Sequence, residues 1–485
     1  MYYDVLVVGA GVIGCAAAME LTRYQLRAAV LEAEEDVCCG TSKANSAIVH
    51  AGFDAVPGTL MARFNVEGSV AMPALCRRLD VPYKRCGALV LCFAEEDRPR
   101  LEELLERGRK NGVSGLRIVE APQLRELEPN VSPEAVAALY APTSAIVCPF
   151  ELTAAMAENA AKNGAEFFFD TRVETVERAG DLWRLTAGNG AVYEAPVVIN
   201  AAGLFGAVLH NQVSPEKLTI TPRKGEYCLL DKKVGDLTSH TIFQLPTAMG
   251  KGVLVTPTVH GNLLVGPTAV DVPDPMSTNT TAEGLSDVLS RGRKSIPSLP
   301  GNRVITSFAG LRAHIERPEP DFVIGEAEGA PGFLNAIGLE SPGLSAAPAI
   351  GAFMAESAAY LVSAPVNREY NAGRDAVVRP NEMSFEERQR LVAEHPAYGN
   401  IICRCETVSE GEIVDAIRRV PGARSLDGVK RRTRAGMGRC QAGFCSPRVL
   451  EILSRELGVP QEQLTKSGGI SRPIVGTTRE GGNEE

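Results

Sequence analysis

Three groups of residues in this chain have the types and spacing to do chemistry. The first is Gly9-x-Gly11-x-x-Gly14, with Glu32 eighteen positions further on. A turn this rich in glycine lets the backbone reach a pyrophosphate, and a carboxylate at that distance bonds a ribose hydroxyl, so the pattern reads as a dinucleotide site. The second is Cys403-Arg-Cys405 with Cys440-Gln-Ala-Gly-Phe-Cys445. Four thiolates can hold a [2Fe-2S] cluster or a structural zinc ion, and C-x-C is unusual for zinc, which favours C-x2-C knuckles. The third is a scatter of cations and imidazoles, His50, Arg223, Lys224, Arg312, His314 and Arg317, suited to holding a small anion. Arg312 follows Phe308-Ala-Gly-Leu, an apolar setting in which a guanidinium needs a carboxylate or phosphate partner.

These residues need elements to position them. Asp4–Val8 reads as a short apolar strand, Cys15–Leu21 as a helix, and Arg27–Leu31 as a second strand ending at Glu32. The glycine motif falls between the first strand and the helix, where helix N–H groups and the dipole favour phosphate. Buried strands return at Val197–Asn200 and Phe333–Ile337. Short alternating strands lie between them, and an amphipathic helix spans Phe150–Asn163. The pattern places a discontinuous nucleotide domain at 1–80, 146–215 and 310–363, and a substrate domain at 81–145 and 216–309. Residues 364–399, with Pro365, Pro380 and Pro396, read as a linker. Residues 400–465 read as a compact cysteine module with helices over Glu410–Arg419 and Pro447–Leu457, and 466–485 as a Gly-rich flexible tail.

Composition narrows the function. A net charge of −9 argues against nucleic acid as a partner. No apolar run reaches the roughly 18 residues of a membrane span. A cytoplasmic protein is expected, with any membrane association made through a partner. Of twelve cysteines, eight are scattered and read as small buried hydrophobes, with Cys38-Cys39 a possible redox pair.

Further segments carry a resemblance. They are Thr41-Ser-Lys-Ala-Asn-Ser-Ala-Ile-Val-His-Ala-Gly-Phe53, Pro57-Gly-Thr-Leu60, Val197–Gly203, Thr221-Pro-Arg-Lys-Gly-Glu-Tyr227, Leu263–Ala269, Ala309-Gly-Leu-Arg312 and Ile337–Ser345. Together with the opening unit they resemble the FAD-dependent oxidoreductases related to D-amino acid oxidase, over about residues 1–360. Within that group they are similar to the anaerobic-type glycerol-3-phosphate dehydrogenases and the L-2-hydroxyglutarate oxidases. The cysteine module resembles the [2Fe-2S] unit of the bacterioferritin-associated ferredoxins, which matches the large subunit of the former. The resemblance implies an α/β fold: a Rossmann-like FAD-binding domain with an inserted antiparallel substrate sheet, plus a small C-terminal helical iron–sulfur domain.

It also implies roles. Thr41, Ser42, Asn45 and Ser46 would hold the pyrophosphate or the middle of FAD, and Val173 would bracket the adenine. Ala202, Gly203, Gly338, Leu339, Gly343, Leu344 and Ser345 would close over the ribityl chain and ring. Arg312, helped by Arg223 or Lys224, would hold the substrate anion, and His50 would orient substrate, take a proton or carry the flavin covalently. The implied activity is oxidation of glycerol 3-phosphate to dihydroxyacetone phosphate. Electrons would leave through a [2Fe-2S] cluster held by Cys403, Cys405, Cys440 and Cys445 to a partner flavoprotein or membrane-associated subunit. The alternatives are L-2-hydroxyglutarate or another 2-hydroxy or amino acid as substrate, and a non-catalytic electron relay.

Overall fold

The computed structural model describes residues 1–246 and 252–476. β1 (Val5–Val8), α1 (Val12–Leu21) and β2 (Ala28–Leu31) follow one another as the glycine motif requires. Every residue of β1 and β2 is buried, as expected of parallel strands covered on both faces. They form the centre of a six-stranded sheet in the order Val323–Glu326, Phe333–Ile337, Val197–Asn200, β1, β2, Glu166–Phe168. All neighbours run parallel except the first pair. Gly9, Glu32, Ala201 and Gly338 each directly follow a strand, so all four come out at one carboxyl edge, where open α/β sheets bind ligands.

Two layers cover this sheet. On one side α1, rich in alanine and buried on almost every face, crosses the helix Gly343–Leu361. The approach is close: a Cβ on Gly351 would lie 2.6 Å from the Ala16 Cβ. On the other side a three-stranded meander, Val173–Ala179, Leu182–Ala187 and Val192–Ala195, packs Trp183, Leu185 and Tyr193 onto Leu6, Val8 and Val198.

The second large sheet has nine strands, drawn from both expected inserts and, through residues 310–315, from the start of the stretch expected in the nucleotide domain, because Val304–Ile315 continues unbroken past that boundary. Its longest pair is Ile220–Leu230 with Val304–Ile315, antiparallel throughout. One pairing departs from an antiparallel sheet: Thr241–Gln244 runs parallel to Ala88–Cys92. Parallel neighbours need a long connection, and here each strand comes from a different insert.

By its contacts the chain divides into two units, residues 1–33 with 38–374, and residues 34–37 with 375 onward. The stretch expected as a linker is therefore split. Residues 364–374 belong to the first unit, where Asn371 O accepts from Asn159 Nδ2 at 3.0 Å and Arg374 pairs with the buried Glu158 at 3.2 Å. Residues 375–399 belong to the second and hold a helix, Phe385–Glu394, opened by a Ser384–Glu387 capping box. The second unit also contains helices Glu410–Arg418, Leu426–Thr433 and Ser446–Leu457 around Ile413, Ile417, Val429, Leu450 and Leu453. Of the expected tail, the start is ordered: Lys466 Nζ pairs with Asp427, and Lys466 N donates to Ser471 O at 2.7 Å. Residues 477–485 lie outside the described residues. Among the described residues no helix is long and apolar enough to cross a membrane.

Candidate functional site

At the carboxyl edge of the six-stranded sheet, packing dictates two of the motif glycines. A Cβ on Gly9 would meet Ala201 O at 2.6 Å, and one on Gly14 would meet Gly9 O at 1.8 Å. Gly11 is different, because only Ser42 Oγ, at 3.2 Å, lies near the position of its missing side chain. Its backbone is open to a phosphate group. Glu32 Oε2 accepts from Ala10 N at 2.5 Å, which fixes the carboxylate beside the loop at the ribose position. These features fit an adenine dinucleotide.

The polar loop after β2 is tied down at both ends. Ser42 Oγ accepts from Val12 N at 2.9 Å, replacing the side-chain cap that Gly11 cannot offer. Thr41 Oγ1 donates to Leu311 O at 2.7 Å, and Ser46 Oγ lies 3.2 Å from the Tyr227 hydroxyl. Asn45 turns inward on its own loop, donating to Ser42 O and accepting from Ala47 N. Val173 is buried at the start of the meander; Ala202 and Gly203 (φ +56°) follow Val197–Asn200. Gly338 (φ +68°) and Leu339 lead to Gly343 and Leu344, the uncapped first turn of the Gly343–Leu361 helix. Ser345 departs from expectation. It is fully buried, accepts from His50 N at 2.8 Å and donates to Ile48 O at 3.3 Å, so its hydroxyl pins the helix to a strand instead of facing the crevice.

The long antiparallel pair carries the cations. Its register sets Arg223 opposite Arg312 and Tyr227 opposite Phe308. Alternation then puts Arg223, Tyr227, Phe308, Gly310, Arg312 and His314 on one face and Lys224 on the other. That first face meets the polar loop, since a Cβ on Gly310 would lie 1.9 Å from Ala44 O. Arg312 Nη2 donates to Thr268 O at 3.0 Å, and no carboxylate among the described residues pairs with it. Arg223 is committed elsewhere, held by Asp271 through bonds of 2.6 and 3.1 Å. The same bonds hold the Asp271 carboxyl below its ordinary range. His314 Nδ1 sits 2.8 Å from Glu340 Oε1, and Arg317 pairs with Glu216. Lys224 is buried on the far face, 3.2 Å from Asn279 O and 3.9 Å from Glu226. The geometry thus separates Lys224 from Arg312. His50 Nε2 lies 3.3 Å from Ser341 Oγ, and its ring, 5.8 Å from that of Phe243, lines a small pocket with Met61, Asn65 and Pro342.

Sequence reasoning missed Tyr227, whose hydroxyl burial pushes up in pKa. Its even spacing from Arg223 was the available signal. It also missed Asp271 and Glu340, partners that only the fold brings near.

The four late cysteines converge in the second unit. Cys403 ends a strand, Cys405 follows in the turn, and Cys445 precedes the helix Ser446–Leu457. Cys405 and Cys440 sulfurs are 3.6 Å apart. The Cys403 thiol is pulled down to about 6 by its bond with Cys445, and further by backbone N–H groups of Gly436, Glu406 and Cys405, against the effect of burial. Backbone donors aimed at a sulfur are what an anionic cluster requires, so the set fits one. Of the basic residues between Cys405 and Cys440, Arg431 and Arg432 bond Asp36, and Arg434 bonds Glu406. Among the described residues no disulfide forms, Cys38-Cys39 included.

Comparison with known proteins supports both cofactors. Residues 4–357 match the family model for FAD dependent oxidoreductases (DAO), and residues 401–455 match the BFD-like [2Fe-2S] binding domain. A glycerol 3-phosphate dehydrogenase of Caloramator mitchellensis is 48% identical over 478 residues, covering 98% of this chain and 99% of that protein. A glycerol 3-phosphate oxidase of Mycoplasma pneumoniae is 34% identical over 355 residues, 72% of this chain and 92% of that one. The solved L-alpha-glycerophosphate oxidase of the same organism, dithionite reduced with FAD bound, superposes with a TM-score of 0.72 at 32% identity, covering 77% of this chain and 98% of that one. The chain belongs to the family of FAD dependent oxidoreductases, and it carries a BFD-like [2Fe-2S] binding domain at its carboxyl end.

Proposed function

We propose that this protein is a dehydrogenase that oxidises glycerol 3-phosphate to dihydroxyacetone phosphate. The observation that carries the reading is Arg312. It stands on the face turned to the polar loop, beside Thr268 O, while the neighbouring Arg223 is neutralised by Asp271. A guanidinium so placed binds a phosphate through two parallel hydrogen bonds. The near full-length likeness to a glycerol 3-phosphate dehydrogenase supports the same substrate. His50 Nε2 takes the proton of the C2 hydroxyl; Ser341 and the Ser345–backbone bond hold it in place. FAD, when bound, supplies the hydride acceptor, and the [2Fe-2S] cluster a one-electron outlet. Glu32, Gly11, Ser42 and the Gly343 helix end would hold the flavin nucleotide, and Cys403, Cys405, Cys440 and Cys445 would hold the cluster. The acceptor is a partner flavoprotein or a membrane-associated subunit, met in the cytoplasm.

The test is anaerobic mixing of oxidised protein with glycerol 3-phosphate, L-2-hydroxyglutarate or glycine while following the flavin band. Rapid bleaching by the first alone is expected. Bleaching by L-2-hydroxyglutarate and not by glycerol 3-phosphate would replace the substrate and leave the fold and both cofactors standing.

A further inference from the structure

We propose that Cys148, Glu151 and His260 form a binding site for one divalent cation of zinc's chemistry. None of the three is among the residues given above to the flavin crevice, the cationic face or the four-cysteine centre. One ligand atom from each lies within 4.8 Å of the other two. The sequence explains two of them: Cys148 stands at the N-cap position of the helix Pro149–Lys162 with its side chain making no capping bond, and Glu151 stands in the first turn, so C-x-x-E sets a thiol and a carboxylate together at one helix end. The third arrives from the nine-stranded sheet. His260 sits at the tip of the turn joining Leu254–Pro257 to Leu263–Gly266. That turn is fixed by Thr258 N to Asn262 O at 2.9 Å, Gly261 N to Thr258 O at 3.1 Å, and Gly261 at φ +85°.

The arrangement is not explained as a simple ion pair. His260 Nε2 is closed off from solvent and 3.1 Å from Glu151 Oε1, yet its direction satisfies no hydrogen bond. A buried imidazole nitrogen that misses its neighbour's acceptor line, with a thiol in the same space, is placed as a metal ligand. Cys148 and Glu151 are 4% and 9% exposed. In so buried a place a divalent cation would draw its charge balance from the Glu151 carboxylate and the Cys148 sulfur together. A mixed sulfur, nitrogen and oxygen set selects zinc among common divalent ions, with a fourth tetrahedral position left for water. Binding would displace the Cys148 thiol proton to solvent. The metal would clasp a hairpin of the nine-stranded sheet to a helix of the nucleotide fold, both within the first unit.

Equilibrium dialysis of chelator-washed holoprotein against zinc tests this. Wild type should take up one zinc beyond any residual metal, with its iron content unchanged and its Tm raised. Cys148→Ser, Glu151→Gln and His260→Gln should each weaken that uptake by about tenfold or more while keeping iron and flavin. Zinc-edge absorption should show one sulfur near 2.3 Å and nitrogen or oxygen near 2.0–2.2 Å. Failure of folded wild type to take up zinc, or uptake unchanged in all three variants, would overturn the site.

Discussion

Arg312 and Lys224 carry the same charge on adjacent strands and answer to different neighbours. Arg312→Lys keeps the charge but loses the planar fork. Its KM for glycerol 3-phosphate should rise about tenfold or more, since hydrogen bonds to charged groups contribute roughly 1.5–3 kcal/mol, with flavin content unchanged. Near-normal KM would make Arg312 a structural residue. Lys224→Met should do the reverse. It deprives buried Glu226 of its nearest cation, so Tm should fall by the equivalent of roughly 1–3 kcal/mol while KM stays put. A raised KM at unchanged Tm would return Lys224 to the site. The sequence shows Arg223 and Lys224 side by side, and strand alternation alone says they face opposite ways. Which of them looks toward the loop at 41–46 depends on pairing with Val304–Ile315, far along the chain. The capture of Arg223 by Asp271 is equally non-local, so its charge reads as available when it is not.

Among the elements, the contact of α1 with the helix Gly343–Leu361 leaves no room for an added methyl. Gly351→Ala places a methyl 2.6 Å from the Ala16 Cβ and 2.7 Å from its backbone carbon. Neither helix can yield by a rotamer change, so overpacking should destabilise by roughly 1–3 kcal/mol. Both helices start at the crevice, and the variant should also lose flavin on dilution, which released fluorescence would report. Tight flavin retention with a wild-type Tm would contradict this. Gly9, Gly11 and Gly14 were legible because spacing itself carries their meaning, whereas Gly351 was not, because its partner lies in another helix. The same division runs through the second unit. Glu410–Arg418 and Ser446–Leu457 bury an apolar stripe and were readable from it. Phe385–Glu394 buries none of its residues and rests on its capping box, so periodicity had nothing to report. Leu426–Thr433 carries Lys430, Arg431 and Arg432 in its last turn, so its short apolar face offers little periodicity to read.

At the scale of the whole chain, the short excursion Glu34–Val37 belongs to the second unit although it directly follows β2 and Ala33. Asp36 is 1% exposed and bonded to Arg431 at 2.8 Å and Arg432 at 2.6 and 2.7 Å. Burial alone would raise its pKa, but the two guanidinium groups overcome this and lower it from 3.8. A depressed folded value stabilises fully above the unfolded one and is lost as pH falls through the folded value. Asp36→Asn should therefore lower the Tm of the second unit at neutral pH, and the gap to wild type should close only below about pH 4. Cluster absorbance during heating would follow it. A gap independent of pH would sink the assignment. The ion pair also sets a timetable. Asp36 leaves the ribosome 395 residues before Arg431. At about 5–20 residues per second the delay is on the order of 20–80 s. Throughout that interval the opening strand, helix and strand have been synthesised, while the acidic loop between Ala33 and Cys38 waits in water for a helix that does not yet exist. Cys440 and Cys445 emerge later still, so loading of the iron–sulfur centre falls to the finished polypeptide, after the nucleotide fold has had its chance to close.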